Sequence, residues 1–122
     1  MSTSNVVNVK KIYLNIMGFK DFNEWKLNPN NVYIGRKNCH VDGTEKSKWA
    51  NPFSVKKYGR DQCLILYENY IRNTSDLWDS LYELDKKNLG CWCHEPLIYV
   101  PCHGNILIKL INERYYSNDL KC

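Results

Sequence analysis

The stretch that most constrains this chain is Leu89-Gly90-Cys91-Trp92-Cys93, followed after a linker by Pro101-Cys102-His103-Gly104-Asn105 and an amphipathic run. Residues 89–93 read as a short buried strand. Alternation along a strand puts Cys91 and Cys93 on one face and Trp92 on the other. From Asn105 onward, Ile106, Leu107, Leu110 and Ile111 repeat at helical spacing, with Lys109, Asn112 and Glu113 opposite. Pro101 cannot continue a ladder and Gly104 permits a tight turn, so Cys102 and His103 fall at the helix N-terminus. Unpaired N–H groups and the helix dipole favour an anion there, a thiolate included. Two thiols at a strand end and a thiol and an imidazole at a helix start can therefore converge on one point.

The rest of the chain supplies a frame for that joint. Residues 6–17 are rich in β-branched side chains and predict one or two strands. Residues 18–31 predict a loop with a helical turn at 22–25, ending in the turn signal Asn28-Pro29-Asn30-Asn31. Residues 32–34 form a buried strand closed by Gly35-Arg36, and residues 37–53 a long loop. Residues 60–73 are an amphipathic helix with Leu64, Tyr67 and Ile71 on one face, beside which Cys63 reads as a core residue. Thr74 or Ser75 caps a second helix to about residue 84, with Leu77, Leu81 and Leu84 inward. The expectation is a single α/β domain over residues 1–122: a small sheet with at least two parallel strands, a two-helix crossover and a C-terminal helix. Residues 116–122 are expected to fray.

In such sheets the ligand crevice lies beyond the carboxyl ends of the strands. Two loops leave from those ends, so Arg36, Lys48, Asn51, Cys93, Cys102 and His103 are expected to line one pocket. In the first loop Arg36 and Lys48 can hold an anion, Trp49 can stack a ring and Asn51 can read a polar edge. Equally, Trp49 and Phe53 can simply pin the loop to the core. At the second, the N–H groups of Gly104 and Asn105 are candidates for binding phosphate.

Charge supports such a ligand. Residues 1–60 hold eleven Lys or Arg against four Asp or Glu, a balance of +7 within a net +4. A basic half suits phosphates on nucleic acid or on a small molecule, and a solvated surface is the plainer alternative. No apolar run approaches membrane-spanning length, and Met-Ser-Thr-Ser-Asn lacks the features of a signal peptide, so the expectation is an intracellular protein without membrane contact. Six cysteines in a reducing compartment point to metal binding or thiol chemistry rather than disulfides.

Three blocks, VYIGR, then SKWANPF, then LGCWC followed by PCHGNILIKL, resemble a domain-of-unknown-function family found in phages, bacteria and large DNA viruses. The family pattern reads VYIGRP-SKWGNPF, a helical spacer, CWC, a short Pro-containing linker and CHGDVLLEL. The resemblance covers residues 32–111 with interruptions. Cys91, Cys93, Cys102 and His103 fall on the family's cysteines and histidine, and Arg36, Lys48, Trp49, Asn51, Pro52 and Phe53 on the other motif. Residues 37–45 are an insertion, the linker 94–101 is longer, Ala50 stands for a glycine and Asn105 for an aspartate. The resemblance implies a fold and a site, and no reaction.

Several chemistries fit the Cys/His set. Cys91, Cys93, Cys102 and His103 can form a tetrahedral zinc site, although their spacing is not that of common zinc ribbons or fingers. Each histidine follows a cysteine (Cys39-His40, Cys93-His94, Cys102-His103), so the inserted loop can lend a ligand. Alternatively Cys102 and His103 are catalytic, the thiol activated by the helix N-terminus, with Cys93 or Cys91 as resolving partner. In a third reading the thiols are structural and the helix start binds phosphate; in a fourth they are buried with no ligand. The functional expectation is a protein that binds or acts on a nucleotide or other phosphate-bearing small ligand. Its competitor is a non-catalytic nucleic-acid- or protein-binding module stapled by zinc. Cations lining one cleft favour the first, a broad convex basic face the second.

Overall fold

The structure is a computed structural model that describes residues 1–92 and 101–116. Asn5–Asn8 (β1), Asn31–Tyr33 (β2) and Asn88–Cys91 (β3) make a parallel sheet in the order β1-β3-β2. Each strand starts on an asparagine, and the three are in register. Asn5 Nδ2 donates to Asn88 Oδ1 at 2.6 Å, Asn88 Nδ2 to Asn31 Oδ1 at 2.8 Å, and Asn31 Nδ2 to the Trp25 carbonyl at 2.9 Å. This side-chain ladder across the amino end sets the register, which the short strands by themselves specify weakly.

Alternation sends side chains to two cores. Val6, Val32, Ile34, Leu89 and Cys91 pack with Arg60–Asn73 (α4) and His103–Ile111 (α6); Val7, Val9, Tyr33 and Trp92 pack with Lys11–Ile16 (α1) and Phe22–Lys26 (α2). On the second face Gly90 lets Trp25 lie directly on β3: a Cβ there would come within 2.4 Å of the indole and 2.7 Å of Val9. On the first, Gly104 brings α6 against Val6 and Ile34, which a Cβ would meet at 2.9 and 3.1 Å. The parallel pairing, the helical crossover and the C-terminal helix agree with the sequence reading, and this is a small α/β fold. No helix among the described residues is long and apolar enough to cross a membrane.

Local details differ from expectation. The strand expected over 6–17 ends at Asn8, and the remainder is α1. Asn8 Oδ1 accepts from Lys10 N at 2.9 Å, a side-chain turn that stops the strand. Residues 22–26 form a full α2, with Asp21 capping by accepting from Glu24 N at 2.9 Å. Val55–Tyr58 (α3) was not foreseen; its N-cap is Ser54. The helix expected to reach residue 84 splits into Ser75–Trp78 (α5) and a 3-10 turn, Leu81–Leu84. At the break Ser80 Oγ donates to the Asp76 carbonyl, a competing bond that ends regular helix. Asn112–Tyr116 is a π turn, held by Tyr116 OH donating to Asp85 at 2.7 Å; residues 117–122 of the segment expected to fray lie outside the described residues.

Candidate functional site

A cavity of about 430 Å³ opens beyond the carboxyl ends of β2 and β3. Its walls come from segments far apart in sequence: Gly35 and Arg36 after β2, Asn51 and residues 53–56, Arg60, Cys63 and Leu64 on α4, Cys91 and Trp92 at the end of β3, and Cys102 and His103 at the start of α6. Parallel sheets open ligand crevices beyond the carboxyl ends of their strands, which is where this one lies. Among the described residues three of those lining it are cationic, Arg36, Lys56 and Arg60, and none is acidic. No ion pair with a carboxylate engages these three among the described residues.

Arg36 also organises the wall. Its Nε and Nη2 donate to the Asn51 carbonyl at 3.0 and 2.6 Å, and Nη2 reaches the Phe53 carbonyl at 3.3 Å. Asn51 is committed within the same loop: Oδ1 accepts from Phe53 N at 2.9 Å and Nδ2 donates to Cys63 Sγ at 3.1 Å. Cys63 in turn donates to the Phe53 carbonyl at 3.1 Å, so this buried thiol fastens the loop to α4. Arg60 Nη1 donates to the Pro101 carbonyl at 3.0 Å, tying the start of α4 to the approach to α6. Residues 37–45 do not line this cavity; the ends of their loop are pinned together, Ser47 N donating to the Gly35 carbonyl at 3.0 Å.

His103 is fixed at the cavity floor. Its Nε2 lies 2.8 Å from the Ile34 carbonyl, which only accepts, so Nε2 carries the proton and Nδ1 the lone pair. The ring meets Tyr67 edge-on at 5.3 Å. Burial holds the imidazole pKa below its ordinary value and Arg36 adds to that, against the Ile34 carbonyl and Cys102. A neutral imidazole with one anchored nitrogen is suited to accepting a proton or hydrogen bond at the other. Cys102 Sγ sits 3.6 Å from Cys91 Sγ, too far for a disulfide but within thiol hydrogen-bond distance, and both residues are 1% exposed. Cys102 N donates to Asn105 Oδ1 at 3.0 Å, so Asn105 works as a helix-capping side chain.

Of the residues singled out in the sequence, Arg36, Asn51, Cys91, Cys102 and His103 line this cavity; Gly104 and Asn105 follow directly on α6. Lys48 and Trp49 do not line it. The Trp49 ring is buried in the α4–α6 core while Tyr67 OH donates to its carbonyl at 2.6 Å, and Lys48 Nζ pairs with Glu83 at 2.8 Å. The apolar bulk of Trp49 is better buried than exposed, and the loop turns to place it. Cys93 lies outside the described residues, and among those described no group of three or more His, Cys, Asp or Glu side chains is arranged to hold a metal. Lys56, Arg60 and Trp92 were missed. The one available signal was that Arg60 and Cys63, three apart, share the helix face with Leu64.

Comparison with known proteins adds lineage and no chemistry. An uncharacterised protein of Acanthamoeba polyphaga mimivirus, R718, is 41% identical over 87 residues. The alignment spans 65% of this chain and 65% of that protein, just under two thirds of the relative's length. No solved structure matches significantly. The model of a domain of unknown function, DUF4326, matches residues 18–113, which takes in the sheet strands β2 and β3, the cavity and α6. The chain belongs to the family described as Domain of unknown function (DUF4326).

Proposed function

We propose that this protein binds a phosphate-bearing small ligand in the cavity beyond β2 and β3. The observation that carries the reading is a concave wall that presents Arg36, Lys56 and Arg60 and, among the described residues, no acidic side chain. Cations facing one cleft, rather than spread over a convex face, raise the local concentration of an anion and hold it by charge-assisted hydrogen bonds. Helix α6 starts at the same cavity, where its N-terminal partial charge has the same sign preference. About 430 Å³ is within the range of small-molecule sites and too small for a nucleic-acid duplex. Lys56 and Arg60 are the direct anion contacts in this reading, Arg36 shapes the loop and adds charge, and His103 offers Nδ1 for a hydrogen bond or proton.

Calorimetric titration of the full chain with pyrophosphate, adenosine monophosphate and ribose 5-phosphate tests the proposal. Each lost charge-assisted contact is worth about 1.5–3 kcal/mol, so Lys56→Ala and Arg60→Ala should each weaken binding roughly tenfold or more. Lys48→Ala, outside the cavity, should leave it unchanged. Absence of binding by all three compounds, or equal binding by wild type and the Lys56→Ala/Arg60→Ala double variant, would sink the proposal.

A second reading, a zinc staple in a non-catalytic module, has one observation behind it. Two thiolates on a tetrahedral zinc, with Zn–S about 2.3 Å, lie about 3.8 Å apart. The Cys91 and Cys102 sulfurs are 3.6 Å apart. Elemental analysis of protein purified without added metal tests it: stoichiometric zinc lost in Cys102→Ser supports the staple, and its absence removes it.

A further inference from the structure

We propose that Trp92 is a stacking platform and that the phosphate-bearing ligand carries a flat heteroaromatic ring, as a nucleotide does. The inference rests on the anion-binding reading above and narrows its ligand class.

The four tryptophans differ in what their rings meet. Trp25 packs on Phe22 with centroids 5.7 Å apart; Trp49 lies under Lys48 at 5.4 Å; Trp78 is covered by Arg72 and Arg114 at 5.7 and 5.2 Å. Trp92 makes no ring–ring or cation–ring contact among the described residues, and it is half-buried at a cavity edge. Its polar atom is satisfied: Nε1 donates to Tyr33 OH at 2.6 Å, and Tyr33 OH donates to the Arg36 carbonyl. That pair of bonds fixes the indole plane against the end of β2. Part of the ring packs on the Val9–Leu14–Phe22–Trp25 cluster, and the rest of its half-exposed π surface is what it can offer a ligand.

Trp92 also stands between two cavities. The second, about 330 Å³, is lined by Lys11, Asp21, Asn23, His40 and Asp42 among others. Two carboxylates there disfavour a phosphate, whereas among the described residues the charged groups lining the first cavity are all cations. The phosphate is thereby assigned to the Arg36–Lys56–Arg60 side, and the ring to the indole that borders it. Phe53, Val55 and Leu64 supply apolar lining on the same side, suited to a base and poorly suited to a bare polyol phosphate.

Stacking on an aromatic side chain is worth about fivefold to a hundredfold in affinity per base. In wild-type protein adenosine monophosphate should bind at least about fivefold more tightly than ribose 5-phosphate and should quench tryptophan fluorescence, which ribose 5-phosphate should not. In Trp92→Leu the preference should collapse to within about threefold while ribose 5-phosphate affinity holds; Trp92→Phe should restore most of it. The wild-type comparison stands even if Trp92→Leu folds poorly, and thermal melts identify that case. Equal affinity of the two compounds for wild type, or an equal loss for both in Trp92→Leu, overturns the inference while leaving the anion site standing. Failure of both compounds to bind overturns the two together.

Discussion

Replacing Gly90 with alanine tests how the sheet and the α1–α2 layer meet. Gly90 lies on the central strand, and an added Cβ would sit 2.4 Å from Trp25 Cη2, 2.7 Å from Val9 Cγ1 and 3.0 Å from Trp25 Cζ2. Carbon pairs settle at about 3.5–4.0 Å, so the indole has to move by about 1 Å. It has little room: Trp25 and Val9 are each 1% exposed, and the Trp25 carbonyl is tied to Asn31 on β2. Overpacking of this kind costs about 1–3 kcal/mol, against a gain of about 0.5–1 kcal/mol from removing a strand glycine. A net loss of about 1 kcal/mol is expected, about 4–5 °C in Tm for a chain of this size. Urea denaturation read by circular dichroism measures it. In a Trp25→Leu background the clash is relieved, and the double-mutant cycle should show a coupling of at least about 1 kcal/mol. Alanine at 90 proving neutral, or costing the same in both backgrounds, would refute the steric account.

Two further outcomes follow from the same structure. His103 has a folded pKa below the ordinary 6.5, so the unfolded chain takes up its proton first as pH falls. The stability is therefore complete above about pH 6.5 and declines as pH drops towards the folded pKa; His103→Gln should flatten the denaturation midpoint between pH 7.5 and 5.5. Asn88→Ala removes both inter-strand side-chain bonds of the amino-end ladder and should cost about 1–2 kcal/mol, measured by chemical denaturation, whereas a change below about 0.3 kcal/mol would show that the ladder adds nothing to the backbone pairing.

Local pattern carried much of this molecule. The helical spacing of Leu64, Tyr67 and Ile71, and the Pro101–Gly104 punctuation before an amphipathic run, are properties of neighbouring residues, so α4 and the start of α6 were legible. A helical crossover between two apolar strands leaves a parallel pair as its natural solution, and with it the end of the sheet where a crevice forms. Short segments were less so: in α1 the β-branched Ile12 and Ile16 suggested a strand, but both are exposed, at 65% and 76%, and the Asn8 turn decided the outcome. Which way a side chain points within a loop depends on what the rest of the chain places beside it. Trp49 turned to the core and Lys48 to Glu83, whereas Arg60, unmarked on its own helix, came to face the cavity because Pro101 was brought across to meet it. Sequence alone determined β2, β3, α4 and α6 and the edge of the sheet at which a crevice opens. Tertiary structure decided which cations share the cavity and that Trp92 borders it, because those residues meet only across the folded sheet.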